Sequence, residues 1–294
     1  MTRHALPLPI LAALLGVALL SLMDAFMKEA ALAIGAFSAA WLRAVMGTGL
    51  MGPLWLATAA RRPPPAVLKL HLERGVVSCL MAVTFFYALT KLPLAETIAI
   101  SFVAPLVALY LARAMLGELI ARKAIGGSLL GFAGTVIIVG NRLGSAGFDR
   151  DAVLGLSAIL VSAMLYAYNF IVMRRQSQVA GPVEIALFHS LVTAVMLALA
   201  APMLFVRPDM AAAGGIAVSA VLTAAGAMTL AWAYARAEAQ VLVPMEYSGF
   251  LWASLFGWLF FREGVSPVTI FGTALIVVGC WIAARRTEPE QVAI

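Results

Sequence analysis

The chain has 294 residues, of which 63% are hydrophobic and 12% charged, and its mean hydropathy is +1.00. Soluble domains carry about 25% charged residues, so this composition excludes a free globular enzyme and places the chain in a bilayer. The net charge of +6 and the pI of about 9.7 come from basic residues scattered over short connections, which report membrane orientation and leave no face for nucleic acid.

About 20 mostly apolar residues cross the hydrocarbon as a helix. Ten such stretches are predicted, over 9–27, 37–59, 72–89, 94–116, 124–140, 153–173, 183–205, 215–235, 241–261 and 268–284. The first is read as a helix and not as a secretory leader, because its basic start is thin and no small-residue cleavage site precedes the second. It carries Met23 and Asp24, and the second span carries Arg43. Asp24 and Arg43 are placed to pair across adjacent antiparallel helices, which is a structural alternative to a binding role. The run Arg61-Arg62-Pro63-Pro64-Pro65 then ends a helix and pins it to the membrane surface.

Phe86 and Tyr87 lie in the third span. Lys91 with Glu96, like Arg236 with Glu238, is expected at a solvated turn. The fourth span holds Ser101 and Phe102, and Pro105 removes a backbone donor there, making it a hinge candidate. The fifth is rich in small residues, with Gly127, Gly131 and Gly134 suited to close helix packing within the chain or between copies of a homo-oligomer. A polar linker loop is expected over 141–151.

Tyr166, Tyr168 and Asn169 belong to the sixth span, His189 to the seventh, Trp232 and Tyr234 to the eighth, and Pro244, Glu246, Tyr247 and Trp252 to the ninth. Pro244 is the second hinge candidate. Aromatic residues near span ends also suit the interfacial belts, and core packing is the other reading of each. Aromatic surface with a few polar groups suits an amphipathic or aromatic small molecule. Cys79 and Cys280 both fall inside spans, so neither a disulfide framework nor a metal-ligand spacing is present.

A shift of 145 residues superposes Lys91 on Arg236, Glu118 on Glu263, Gly127 on Gly272 and Gly134 on Gly279. Charged residues and glycines in register point to duplication. Each recurring glutamate is expected to tie a helix end to a neighbouring backbone or basic group. The expected fold is therefore an all-α integral membrane protein, with ten transmembrane helices forming two five-helix repeats over 1–140 and 152–294. Five spans per repeat is odd, so the second inserts upside down, a plan that recurs in secondary transporters with a midplane site between the halves. Thirteen Lys and Arg fall on the side of both termini and six opposite, which makes both termini cytoplasmic.

At Phe85-Phe86-Tyr87-Ala88-Leu89, Phe102-Val103-Ala104-Pro105-Leu106, Gly117-Glu118, the glycines 127 to 134, Arg262-Glu263 and the glycines 272 to 279, the sequence resembles the EamA-type members of the drug/metabolite transporter superfamily. Arg43 matches an arginine common in that group's second helix, and the overall pattern is most similar to its aromatic amino acid exporters. The resemblance implies export of amino acids or related metabolites across a bacterial inner membrane, through a cavity lined by helices one, three, four, six, eight and nine. On this chain that implies a substrate site drawn from Met23, Asp24, Phe86, Tyr87, Ser101, Phe102, Tyr166, Asn169, Trp232, Glu246 and Tyr247.

The expected function is thus a secondary transporter of amino acids by alternating access, whose partners are a small-molecule substrate and lipid, with no cofactor. An exporter of amphipathic cations is the alternative. A membrane-embedded enzyme is disfavoured because His189 is the one histidine within a predicted span and has no nucleophile motif beside it. No GxxxxGK[ST] phosphate loop is present for ATP-driven pumping. A channel or a non-transporting scaffold completes the set of rivals.

Overall fold

Gly35 is where the long helical run Pro7–Ala59 turns back on itself. Its φ of 81° and ψ of 151° cost a residue without a Cβ little, and the run splits there into α1 (7–34) and α2 (36–59) with no intervening loop. The structure, a computed structural model, describes residues 7–59, 62–116, 122–146, 149–177, 179–234, 245 and 248–284.

The following elements are α3 Pro65–Lys91, α4 Leu94–Ser101, α5 Val103–Leu116, α6 Arg122–Ala146, α7 Arg150–Ser177, α8 Pro182–Ala198, α9 Ala201–Leu204, α10 Met210–Tyr234, α11 Gly249–Phe261 and α12 Pro267–Ala284. Proline opens α3, α8 and α12, where its missing N–H would have no helical partner anyway. Ser266 caps α12 by accepting the Thr269 N–H at 3.0 Å. No strand occurs among the described residues, and the longest helices are apolar and long enough to cross a bilayer.

Two expectations about single elements are corrected. The fourth span is two helices, broken at Phe102, whose N–H bonds Ala99 O at 3.2 Å in place of a fourth-neighbour carbonyl. Pro105 accounts for the break: without an N–H it leaves the Ser101 carbonyl without its helical donor. The linker expected as a loop over 141–151 is helical through Ala146 and again from Arg150. Extending a formed helix adds one hydrogen bond per residue fixed, and an interior glycine costs only about 1 kcal/mol.

Packing is governed by small residues. Alanines 13, 25, 30, 31, 39 and 40 are buried along α1 and α2 and allow close helix approach. Helix α1 packs on α10, α3 on α7, and α6 on α12. Helix α2 meets α8 through a Trp41 Nε1–H bond to Ala194 O at 3.1 Å and a T-shaped Trp55–Phe188 contact. At the α6–α12 crossing, a Cβ on Gly134 would collide with Gly272 O, one on Gly272 would lie 2.8 Å from Gly134 O, and one on Gly279 would collide with Gly127 O. The glycine face predicted for helix packing makes that contact within the chain.

Candidate functional site

An ionisable group inside a membrane bundle is costly, by about 2.5–3.5 kcal/mol on insertion scales, so it needs a reason to be there. Asp24 on α1, Arg43 on α2 and His189 on α8 supply one group of such residues, with Phe86 of α3 beside Arg43. The Arg43 guanidinium lies over the Phe86 ring, 5.3 Å from its centroid, and Arg43 Nε is buried with no hydrogen-bond partner. Asp24 is within coulombic reach of Arg43, yet no ion pair joins them among the described residues. The direct pairing that the sequence allowed as a structural alternative is not made among the described residues. His189 lies within coulombic reach of both Arg43 and Arg74, and its Nδ1 is also buried without a partner.

The second group is a hydrogen-bonded chain linking α3, α7 and α8. His71, Arg74 and Ser78 share one face of α3 at helical spacing, opposite Asn169 and Gln176 on α7. Arg74 donates from Nε to Asn169 Oδ1 at 3.3 Å and from a terminal nitrogen to Gln176 Oε1 at 2.8 Å. Ser78 Oγ also donates to Asn169 Oδ1, at 3.3 Å. With its oxygen held by Arg74, Gln176 turns its amide nitrogen to His71 Nδ1 at 2.5 Å. Neutral His71 then carries its proton on Nε2 and donates it to Glu184 Oε1 at 2.9 Å. The imidazole stacks on Phe188 at 4.4 Å. His71, Gln176, Asn169 and Ser78 are all buried.

Of the residues predicted for a substrate site, Phe86, Asn169 and Tyr166 join these groups. Phe86 lies under Arg43, Asn169 holds Arg74, and the Tyr166 phenol acts electrostatically on Arg74. Asp24 faces the same region, and its neighbour Met23 packs against the alanine-rich core of α1 and α2. Phe102, at the α4–α5 break, comes within 3.9 Å of where a Cβ on Gly249 would stand, so it faces the start of α11. Ser101 bonds its own helix, donating to Thr97 O at 2.8 Å.

The structure does not bring Tyr87 or Trp232 to the Arg43 group. Tyr87 lines a groove of about 390 Å³ with Ile34, Phe37, Thr84 and Leu204, and Trp232 lines a crevice between α1 and α10 with Leu8, Ala12 and Met228. Pro244, Glu246 and Tyr247 lie outside the described residues, as does Glu118, and Pro105 is described in its backbone alone. Among the described residues no cluster of three His, Cys, Asp or Glu groups is placed to hold a metal.

Glu96, expected at a solvated turn, is buried at 8% exposure. It sits in the first turn of α4, where the helix dipole favours a carboxylate, and its charge acts on the buried Lys28. The His71–Gln176–Arg74 chain was not anticipated, because Arg74 counted only among the basic residues that set membrane orientation and His71 lies just before the predicted third span. The polar residues 71, 74 and 78, repeating on one helical face opposite Asn169 and Gln176 seven residues apart, were the available signal.

Comparison with known proteins matches residues 7–140 and 153–285 to the EamA-like transporter family. The chain is 29% identical over 272 residues to the pseudopaline exporter CntI of Pseudomonas aeruginosa, covering 91% of this chain and 92% of that protein. It is 31% identical over 115 residues to the aromatic amino acid exporter YddG of Ancylobacter novellus, covering 39% of each. It is 27% identical over 208 residues to a riboflavin transporter of Rhizobium johnstonii, covering 70% of this chain and 67% of that one. A protein of known crystal structure, 22% identical, has the same fold with a TM-score of 0.65 over 94% of this chain and 96% of its own.

Proposed function

This chain belongs to the EamA-like transporter family, and we propose that it exports amino acids, or metabolites with an amino acid head, across a bacterial inner membrane. The carrying observation is Arg43, buried over Phe86 with an unused Nε donor and with Asp24 across from it but unbonded. A buried guanidinium left short of partners is an anion receptor waiting for its ligand. An α-carboxylate meets Arg43, an α-ammonium meets Asp24, and Phe86 with Phe102 offers aromatic surface for the side chain. Phe86 is buried beneath the guanidinium and Phe102 lies at the α4–α5 break.

Alternating access by rocking of two inverted halves is supported by how the helices exchange partners. The first helix of the amino-terminal half, α1, packs on the third of the other, α10, while α3 packs on the first helix of the second half, α7. The α6–α12 crossing pairs Gly134 with Gly272 and Gly127 with Gly279, although the 145-residue repeat equates 127 with 272 and 134 with 279. Crossed contacts of this kind are what a two-fold axis in the membrane plane produces. The excess of basic residues on the side of both termini supports a cytoplasmic location for them. We assign the chain no catalytic role.

An exporter of amphipathic cations is the second reading, and the Arg43–Arg74 region counts against it because the field there favours anions. The test is uptake of a labelled amino acid into proteoliposomes containing the full chain, in competition with unlabelled amino acids and with tetraphenylphosphonium. Inhibition by amino acids alone is expected. Inhibition by the cation alone would transfer the function to the second reading.

A further inference from the structure

We infer that Arg74 forms a second anion-binding point within the helix bundle, and that the substrates are amino acids bearing an additional carboxylate. The inference rests on the amino-acid reading above and narrows it.

Arg74 lies about a third of the way along α3 and bonds two amide oxygens, those of Asn169 and Gln176. Both acceptors are neutral. A guanidinium has five N–H donors, so this pair fixes its plane and leaves donors over. The acids nearest in sequence or space are otherwise engaged: Glu73 accepts the Tyr168 hydroxyl at 2.5 Å, Glu184 holds His71, and Asp24 faces Arg43. Among the described residues no carboxylate bonds Arg74.

The anchoring chain behind Arg74 is unusually complete. Glu184 orients His71, His71 orients the Gln176 amide, and the amide oxygen orients Arg74, with Asn169 pinned from its other side by Ser78. A receptor fork held this firmly loses little entropy when a carboxylate arrives. His189, within coulombic reach of both arginines and with a buried unpartnered Nδ1, offers a further hydrogen-bonding group.

Charge points the same way. Arg74 is held by two neutral amide oxygens, so a substrate's second carboxylate supplies the counter-charge that no described carboxylate gives it by direct contact. Riding between two arginine forks, such a substrate has its head at the Arg43–Asp24 end and its distal acid at Arg74.

The experiment is equilibrium binding to the full chain in lipid nanodiscs, comparing L-glutamate with L-glutamine and 4-carboxy-L-phenylalanine with L-phenylalanine. The acid member of at least one pair is expected to bind about tenfold or more tightly than its neutral partner, because a site built for a polar group rejects the analogue lacking it. Arg74→Gln is expected to remove that preference, bringing the acid and neutral members of the pair to similar affinities. Equal or stronger binding of the neutral member in both pairs, or a preference that survives Arg74→Gln, would overturn the inference while leaving amino-acid export standing. Failure of all four probes to bind would remove the amino-acid reading and this inference together. The wild-type comparison decides the matter even where the variant does not fold.

Discussion

The Lys28 ammonium at the far end of α1 is ion-paired with the Glu263 carboxylate just beyond α11, and that carboxylate also accepts the Leu94 N–H at 2.8 Å. Lys28 donates in addition to Leu92 O at 2.9 Å, so one pair ties together α1, the end of α11 and the turn before α4. The geometry is prepared by Arg262, whose left-handed φ of 57° lets the Glu263 N–H reach back to Gly257 O at 3.1 Å. Breaking a buried pair leaves one charge uncompensated and costs about 3 kcal/mol or more. Lys28→Met and Glu263→Gln are each expected to lower thermal stability in detergent substantially, and Lys28→Met with Glu263→Leu to recover part of the loss. A double variant less stable than the additive expectation would show the pair to be something other than a coupled unit.

At the α6–α12 crossing the relevant quantity is space. Gly134→Ala places a methyl group against Gly272 O, and overpacking of a tight contact costs about 1–3 kcal/mol. Gly49→Ala, with nothing within 4 Å of the new methyl, is the matched control and is expected to be neutral or slightly stabilising. Melting temperatures of the two purified variants, compared with the unmodified chain, check this.

How much of this was legible beforehand differs by level. Helix positions followed from apolar run length, which the bilayer thickness fixes almost regardless of tertiary detail. Gly134 and Gly272 stood out because close backbone approach in lipid admits few residue types. Glu263 was expected to tie a helix end, and it does so to both a backbone group and a lysine. Arg43 and Asp24 were visible as costly residues, but not that they would face each other unbonded. Glu96 was misjudged, since sequence distance from a span end says how far a residue is from water along the helix and nothing about what packs over it. The break at Phe102 lay three residues before the proline that causes it, because the orphaned carbonyl belongs to the preceding turn.

Gln176 is the joint of the buried polar chain, and its two ends face groups of opposite demand. Gln176→Leu leaves both His71 Nδ1 and one Arg74 donor without a partner, at about 1–3 kcal/mol for each buried group left unsatisfied. A large drop in stability is expected, with Ser157→Ala as a neutral reference because its hydroxyl bonds only its own helix on an exposed face. Thermal unfolding of the two variants side by side checks it, and equal stability would mean the chain contributes nothing to holding Arg74.

Arg43 tests recognition and not folding. Arg43→Lys keeps the charge but gives up the planar fork and its stacking on Phe86, and it is expected to reduce transport at least about tenfold with little change in stability. Phe86→Leu, which keeps most of the buried volume and removes the ring face, is expected to raise the substrate concentration for half-maximal transport. Initial rates in proteoliposomes give both numbers.

The central claim is that this chain is a carrier whose amino-acid site opens to one side of the membrane at a time. Counterflow measures that directly: proteoliposomes loaded with unlabelled glutamate or phenylalanine are diluted into a trace of the labelled compound. The account predicts a saturable overshoot, with label accumulating above its equilibrium level and the overshoot lost in Arg43→Ala. Label that enters no faster than into empty liposomes, or that rises to equilibrium without overshoot, would contradict it.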